Sequence, residues 1–335
     1  WDRDIAAPLH WAPEDDAIIF AAEDHGRRHL WQMQLPSGEV DCLCRGGHVG
    51  AFDLQAQTCV VQHDSLHHPP RLSVLTDEGP RRIEHFNDAL LARHRFGEAK
   101  EHWMEGALGD PVQTWLVFPP GFDPRRKYPV LHLIHGGPHT CFGDSWHWRW
   151  NHQAFAAQGY VVACVNYHGS SSFGHAFLDS ITHRWAELEL QDIEATTTWL
   201  LQQRWVDGAR ISAAGGSYGG YMVAWMNAHV SPGRYQAYIC HAGAFDWQAM
   251  YADDAYGWHH QELGARYFDD PAQVARQNPA AHIAGARTPT LVSHGAQDYR
   301  VPDAQGLAYY NTLKSLGVPA RLVWFPDENH WILKP

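Results

Sequence analysis

The sequence predicts a doubly wound α/β domain behind a β-rich piece, and three observations carry that reading. From about residue 110 onward, continuous apolar runs alternate with segments of helical period. Before about residue 85 the apolar runs are short and separated by turn clusters. A glycine-flanked serine sits where one apolar run gives way to a helix.

The β-rich piece opens with Ala17-Ile18-Ile19-Phe20-Ala21, the turn cluster Glu23-Asp24-His25-Gly26, then His29 to Leu35 and Pro36-Ser37-Gly38. A second series repeats the texture: Gly50 to Leu54, Thr58 to Gln62 and Arg71 to Leu75. A repeat near 40 residues is the period of a propeller blade. Two blades do not close a ring that typically needs four or more. Residues 1–90 are therefore expected to be the last blades of a β-propeller, and the start at Trp1, without Met or a leader pattern, reads as the inside of a longer protein.

Residues 91–335 carry the alternating part. Strands are expected at Gln113 to Phe118, Pro129 to Ile134, Tyr160 to Asn166, Arg210 to Ala214, Ala237 to Cys240, Thr290 to Ser293 and Ala320 to Phe325. Helices are expected at Trp150 to Gln158, Glu187 to Gln203, Tyr218 to His229 and Ala304 to Leu316. In the second helix Leu188, Ile193, Thr197 and Leu200-Leu201 recur at helical spacing, and Glu187 and Glu189 suit the positive end of its dipole. Apolar strands separated by helices mean a parallel sheet covered on both faces.

Composition narrows the function classes. Apolar residues at 45% and charged residues at 19% describe a folded globular chain. A net charge of −12 without a basic stripe argues against a nucleic-acid partner. No stretch reaches the roughly 18 apolar residues that span a bilayer, so no membrane partner is expected. The six Cys show no disulfide framework; Cys42 and Cys44 lack the second half of a zinc site, and Cys164 lies in an apolar run as a small hydrophobe. Although there are 25 His, none forms H-E-x-x-H, and neither a metal nor a cofactor is expected. Sixteen Trp suit core, pocket walls and interfaces, most of them core.

The sharpest feature is Gly215-Gly216-Ser217-Tyr218-Gly219-Gly220, between the strand Arg210 to Ala214 and the helix beginning at Tyr218. A nucleophile on a strand-to-helix turn holds strained dihedrals while other chains pass close by, and flanking glycines permit both. In an α/β-hydrolase fold the order along the chain is serine, then acid, then histidine. Asp298 follows the run Leu291 to Ser293 and a Gly turn, at the carboxyl end of a parallel strand. His330 follows the last apolar strand, where an imidazole can take the serine proton while the carboxylate sets its tautomer. Asp303 reads as a helix N-cap and Asp327 as a turn residue, so Ser217, Asp298 and His330 are the candidate nucleophile, acid and base. Backbone N–H groups for the developing oxyanion are expected from Tyr218 and from His135-Gly136-Gly137-Pro138-His139, with Gly137 the first choice and Gly136 beside it.

Together, His135 to His139, Gly215 to Met222, His294 to Pro302 and Glu328-Asn329-His330 resemble the prolyl oligopeptidase family, in its acylaminoacyl-peptidase and dipeptidyl-peptidase branch. The resemblance covers residues 95–335 well, and residues 1–85 resemble the last blades of that family's propeller. It implies a serine peptidase acting on short peptide substrates, with the rest of the propeller as a partner that restricts access. Arg300 would hold the carbonyl next to the P1 residue, and Phe245, Trp247 and Tyr251 would line the P1 pocket. Where many relatives have Asn-x-Arg-Gly-Ser this chain has Asn166-Tyr167-His168-Gly169-Ser170, so no role of that Arg is carried over to this chain. Two other readings keep the same residues: an esterase-type hydrolase, and a non-catalytic binding protein on the fold. Exo- versus endopeptidase mode, assembly into a homo-oligomer and compartment, cytoplasmic or periplasmic, stay open at this level.

Overall fold

A computed structural model describes residues 1–334. The first strands are β1 (Ile5–Trp11), β2 (Ala17–Asp24), β3 (Arg27–Gln34) and β4 (Val40–Cys44), then β5 (His48–Gln55), β6 (Thr58–Ser65), β7 (His68–Thr76) and β8 (Gly79–Arg82). Each set of four is an antiparallel meander, and the two meet through one parallel bridge, Arg28 to His48. Side-chain alternation builds a small core from Ile19, Ala21, Leu30, Val49, Phe52 and Val61. β1, β4 and β8 are additional to the strands expected from sequence.

The second sheet follows as β9 (Ala99–Glu105), β10 (Pro111–Val117), β11 (Tyr128–Ile134), β12 (Val161–Asn166), β13 (Val206–Gly216), β14 (Ala237–His241), β15 (Thr290–Gly295) and β16 (Ala320–Phe325). Its spatial order is β9-β10-β12-β11-β13-β14-β15-β16, with β9 and β10 antiparallel and the strands from β12 to β16 parallel. Helices α1 (His152–Ala156), α2 (Leu188–Leu201), α3 (Tyr218–His229), α4 (Tyr256–Leu263) and α5 (Ala304–Ser315) are interleaved with it. β12 shows why the strands read as unbroken apolar runs. Val161, Ala163 and Val165 enter one core, Val162 and Cys164 the opposite one, and all are fully buried.

α3 is buried almost all round, from Tyr218 to Asn227. Its entry depends on glycine: a Cβ on Gly219 would lie 2.1 Å from the Ile134 carbonyl oxygen. α2 corrects one expectation: Leu201 is 40% exposed and outside the buried stripe. Glu189 stands in the first turn, where an acid suits the helix dipole, and its side chain is fully buried.

The two sheets dock through the tips of hairpins. At the β2–β3 turn, His25 N and Gly26 N donate to Ser172 O and Oγ at 2.9 and 2.8 Å, and Asp144 N donates to Gly26 O at 2.8 Å. At the β6–β7 turn, Leu66 N donates to Asp144 Oδ1, and Trp146 N donates to Asp64 Oδ1 at 2.7 Å. These bonds fix the loop that precedes α1. Among the described residues no helix is long and apolar enough to cross a membrane, and the six cysteines are free.

A glycine pair tests this docking. Gly26 and Gly38 share positive φ, +69° and +74°, but a Cβ on Gly26 would sit 2.4 Å from Gln113 Oε1 while Gly38 faces open space. Gly38→Ala is expected to cost about 1 kcal/mol of backbone strain, and Gly26→Ala clearly more, in denaturant unfolding. Equal losses would contradict the docking described.

Candidate active site

β13 ends at Gly216, and Ser217 turns the chain into α3 at φ 58°, ψ −121°, a conformation non-glycine residues rarely hold. Its N–H donates to His241 O at 2.9 Å, and its carbonyl accepts from Tyr221 N at 3.0 Å, so both sides of the strained residue are fastened. A Cβ on Gly215 would lie 2.3 Å from the Gly219 carbonyl group, which explains the glycine before the turn.

Asp298 stands in the turn after β15 and His330 in the turn after β16. His330 Nδ1 is 2.7 Å from Asp298 Oδ2, and the carboxylate is shut away from solvent. Its other oxygen accepts from Arg300 N at 3.0 Å and Val301 N at 2.8 Å. His294 Nε2 sits 3.4 Å from Oδ2 and 2.9 Å from Val301 O. Burial alone would raise the Asp298 pKa. Hydrogen bonds from His294 and His330, the His330 charge and the Val301 N–H outweigh burial and hold the carboxyl well below its usual range. Asp303 caps α5 by position without a side-chain hydrogen bond, and Asp327 is an exposed partner of Lys334.

His241 joins the two halves of the site. Its carbonyl holds Ser217 N, its Nδ1 lies 3.0 Å from Ser293 Oγ, and its ring faces the His330 backbone. Burial, with the neighbouring His330 and His294, pushes its pKa down to about 4, which keeps it neutral. The hydrogen bonds of the described residues join His330 to Asp298 and do not join Ser217 Oγ to His330. Such contacts are often long before substrate binds.

The loop after β11 passes directly over Ser217. A Cβ on Gly136 would lie 3.0 Å from Gly216 O and 3.2 Å from Ser217 Cβ, and Gly137 has φ +121°. His135 and Thr140 fix the loop: Thr140 Oγ1 donates to Gly136 O at 2.7 Å, His135 Nε2 meets Ser170 Oγ at 2.8 Å, and His135 stacks on Tyr167 at 4.1 Å. Burial lowers the His135 pKa to about 4. Tyr218 N is the first N–H of α3, where a helix leaves donors without intrahelical partners.

A pocket of about 370 Å³, counting its open mouth, begins at Ser217. Trp185, Tyr218, Trp247, Met250 and Trp258 wall it, His259 and Asp253 close it, and Arg300 stands at its rim. Among the residues expected there, Trp247 and Arg300 are in the lining. Phe245 is not: it is packed against Tyr309 at 5.1 Å, with its N–H on Gln305. Tyr251 is also outside, against Tyr267, Phe268 and His259. Arg300 Nη1 pairs with Asp254 Oδ1 at 3.0 Å. His168 is buried scaffold: its N and Nδ1 both reach Asp192 Oδ2 at 2.7 Å. Among the described residues no group of three or more His, Cys, Asp or Glu could hold a metal ion.

Trp185, Trp258, Asp253 and His259 come from segments with no local motif. Glu189, which the sequence marked only as an acid suited to the helix dipole, is a further residue beside the site. Its Oε1 accepts from Tyr218 Oη and, at 3.0 Å, from Ala186 N, while Oε2 is buried without a partner. It therefore fixes the ring of Tyr218, the residue after Ser217.

The prolyl oligopeptidase family pattern matches residues 146–335, more than half of the chain. Dipeptidyl-peptidase 5 of Porphyromonas gingivalis is 30% identical over 335 residues, covering 98% of this chain and 49% of the relative. Dipeptidyl-peptidase 5 of Aspergillus fumigatus is 32% identical over 348 residues, covering 100% and 48%. Among solved structures, Pyrococcus horikoshii acylaminoacyl peptidase superposes with a TM-score of 0.88 at 23% identity, covering 98% of this chain and 52% of that one. Dipeptidyl peptidase 4 of P. gingivalis gives 0.83 at 22% identity, covering 100% and 48%. The second sheet is an α/β-hydrolase fold. The chain belongs to the prolyl oligopeptidase family and spans about half the length of the curated relatives it matches.

Burial raises the Glu189 pKa from 4.5 to about 7, against hydrogen bonds from Tyr218 and Ala186 that lower it. A folded pKa above the unfolded one means stability is complete below pH 4.5 and drains away as pH rises toward 7. Glu189→Gln keeps the acceptor for Tyr218 without the charge. Relative to wild type it should gain about 3 kcal/mol of unfolding free energy between pH 5 and pH 8. A constant difference across that range would show that Glu189 stays ionised in the fold.

Proposed function

We propose that the chain is the catalytic part of a serine peptidase that cleaves short peptides through an acyl-enzyme, of dipeptidyl-peptidase or acylaminoacyl-peptidase type. The observation that carries this is the buried Asp298–His330 pair on the two strand ends beside a strained Ser217. His330 takes the Ser217 proton as Oγ attacks the substrate carbonyl carbon. Tyr218 N–H and Gly137 N–H face the oxygen that becomes negative, Gly136 lets the loop approach, and Asp298 stabilises the imidazolium. The C–N bond breaks as His330 returns the proton to the leaving amine, and water then repeats the sequence on the acyl-enzyme. The P1 side chain enters the Trp-walled pocket beside Trp247, and Arg300 holds the neighbouring carbonyl. The names of the curated relatives support a peptidase.

In the same reading, residues 1–90 are the last two blades of a β-propeller and residues 91–335 the catalytic domain. Two four-stranded meanders joined at one bridge support this, as does the chain's span of about half its relatives' length. The rest of the propeller is the expected partner and would limit substrates to short peptides.

One observation favours the esterase reading: the Arg300 guanidinium already has a carboxylate partner in Asp254. The two separate in one experiment on wild type, Ser217→Ala and Arg300→Lys with a peptide and a small acyl ester. Ser217→Ala should lose roughly a millionfold in turnover of both substrates. Arg300→Lys should lower kcat/KM for the peptide about ten- to a hundredfold through KM, because the fork that captures the carbonyl is gone. The ester, lacking that carbonyl, should be turned over almost as before. Equal losses would leave Arg300 as support for the Asp298 turn. Ester turnover without peptide turnover would establish the esterase.

A further inference from the structure

Beyond the acyl side of the site, a second constellation lies on the other flank of His330. The turn before α1 is held by His147 Nδ1, which accepts from Arg149 N at 3.1 Å and Trp150 N at 2.8 Å, and by Trp146 N on Asp64. It presents Trp148, Arg149 and Trp150. Opposite stands Trp331, directly after the candidate base and 5.6 Å from its ring. The Arg149 guanidinium carbon is 5.4 Å from the Trp150 ring and 4.9 Å from the Trp331 ring, and Nη1 donates to Trp331 O. Trp150 in turn rests 5.2 Å from His241, whose carbonyl holds Ser217.

Two features make this more than surface packing. Exposed aromatics stand beside His330 and His241: Trp331 is 56% exposed and Trp150 38%. Arg149 has no carboxylate partner among the described residues, and its Nε is buried without a hydrogen-bond partner. In a chain of net charge −12, a guanidinium clamped between two indoles without a counter-ion is a ready seat for a carboxylate.

None of Arg149, Trp150 and Trp331 lines the pocket that begins at Ser217 and Tyr218. If the acyl half occupies that pocket, the amine protonated by His330 departs past Trp331. We propose that Arg149, Trp150 and Trp331 form a leaving-group subsite. The indoles pack on an apolar or aromatic residue just beyond the scissile bond, and Arg149 binds the free α-carboxylate of a short leaving peptide. This rests on the peptidase reading and adds a second reason for short substrates: the far end of the peptide is read as well.

The test uses the full-length protein and two matched peptides. They share the acyl half and an aromatic-containing leaving dipeptide, and one ends in a carboxylate while the other ends in a carboxamide. Wild type should favour the acid about tenfold in kcat/KM, through KM, as loss of a charge-assisted bond of this type implies. Arg149→Met fills the slot between the indoles without charge, and its ratio should fall to near one. Arg149→Lys, which keeps the charge and guards against misfolding, should retain an intermediate preference. A wild-type ratio near one, or a ratio unchanged in Arg149→Met, overturns the subsite. So does a dimer at assay concentration that dissolves in Arg149→Met, which would assign the aromatic patch to a second copy of the chain. Folded wild type that cleaves neither peptide overturns the peptidase reading and the subsite together, a result distinct from an unchanged ratio.

Discussion

The contact between Asp298 and His330 ties the ends of β15 and β16 into one unit, and the geometry of the site depends on it. A carboxylate out of solvent is costly unless each oxygen is satisfied. Here one oxygen takes two backbone N–H groups and the other takes His330, with His294 behind it. The backbone N–H groups come from Arg300 and Val301, so the turn that carries the acid also places Arg300 at the rim and Val301 in the pocket lining. The candidate acid and part of the pocket wall thus share one turn.

The scaffold around it works by excluding side chains where backbone must approach. Ser217 holds its positive φ because Gly215 and Gly219 let β13, α3 and the end of β11 come within van der Waals reach. Gly136 extends the same approach to the loop above Ser217. Below, Glu189 holds Tyr218 by its hydroxyl, and His135 holds the loop through Ser170 and Gly136. Positioned groups of this kind favour the transition state because little reorganisation remains at the moment of reaction.

Much of this was legible in the sequence, for local reasons. β16 runs from Ala320 to Phe325 and α3 from Tyr218 to His229, as the apolar run and the glycine turn predict. β9 was hidden because Ala99–Glu105 is a half-exposed edge strand with charged residues and no clean alternation. Helix α4 was hidden because Tyr256–Leu263 carries little apolar stripe. In the site, Ser217, Asp298 and His330 follow from motif and order, whereas Trp185, Trp258 and His259 reach the pocket through tertiary packing alone. Phe245 shows the converse: its sequence neighbourhood is that of Trp247, but its side chain points to Tyr309. Glu189 read only as an acid suited to the helix dipole, because nothing local announces the Tyr218 hydroxyl as its partner.

The central claim is that Asp298 sets His330 to activate Ser217. The rate of phosphonylation by a fluorophosphonate, with the adduct mapped by peptide mass, measures that activation without any assumption about substrate. Wild type should carry the adduct on Ser217, and Asp298→Asn should react on the order of ten-thousandfold more slowly, since the His330 tautomer is then wrongly set. Asp303→Asn and Asp327→Asn should stay close to wild type. An adduct on another residue, or an Asp298→Asn protein that labels Ser217 at the wild-type rate, would contradict the account.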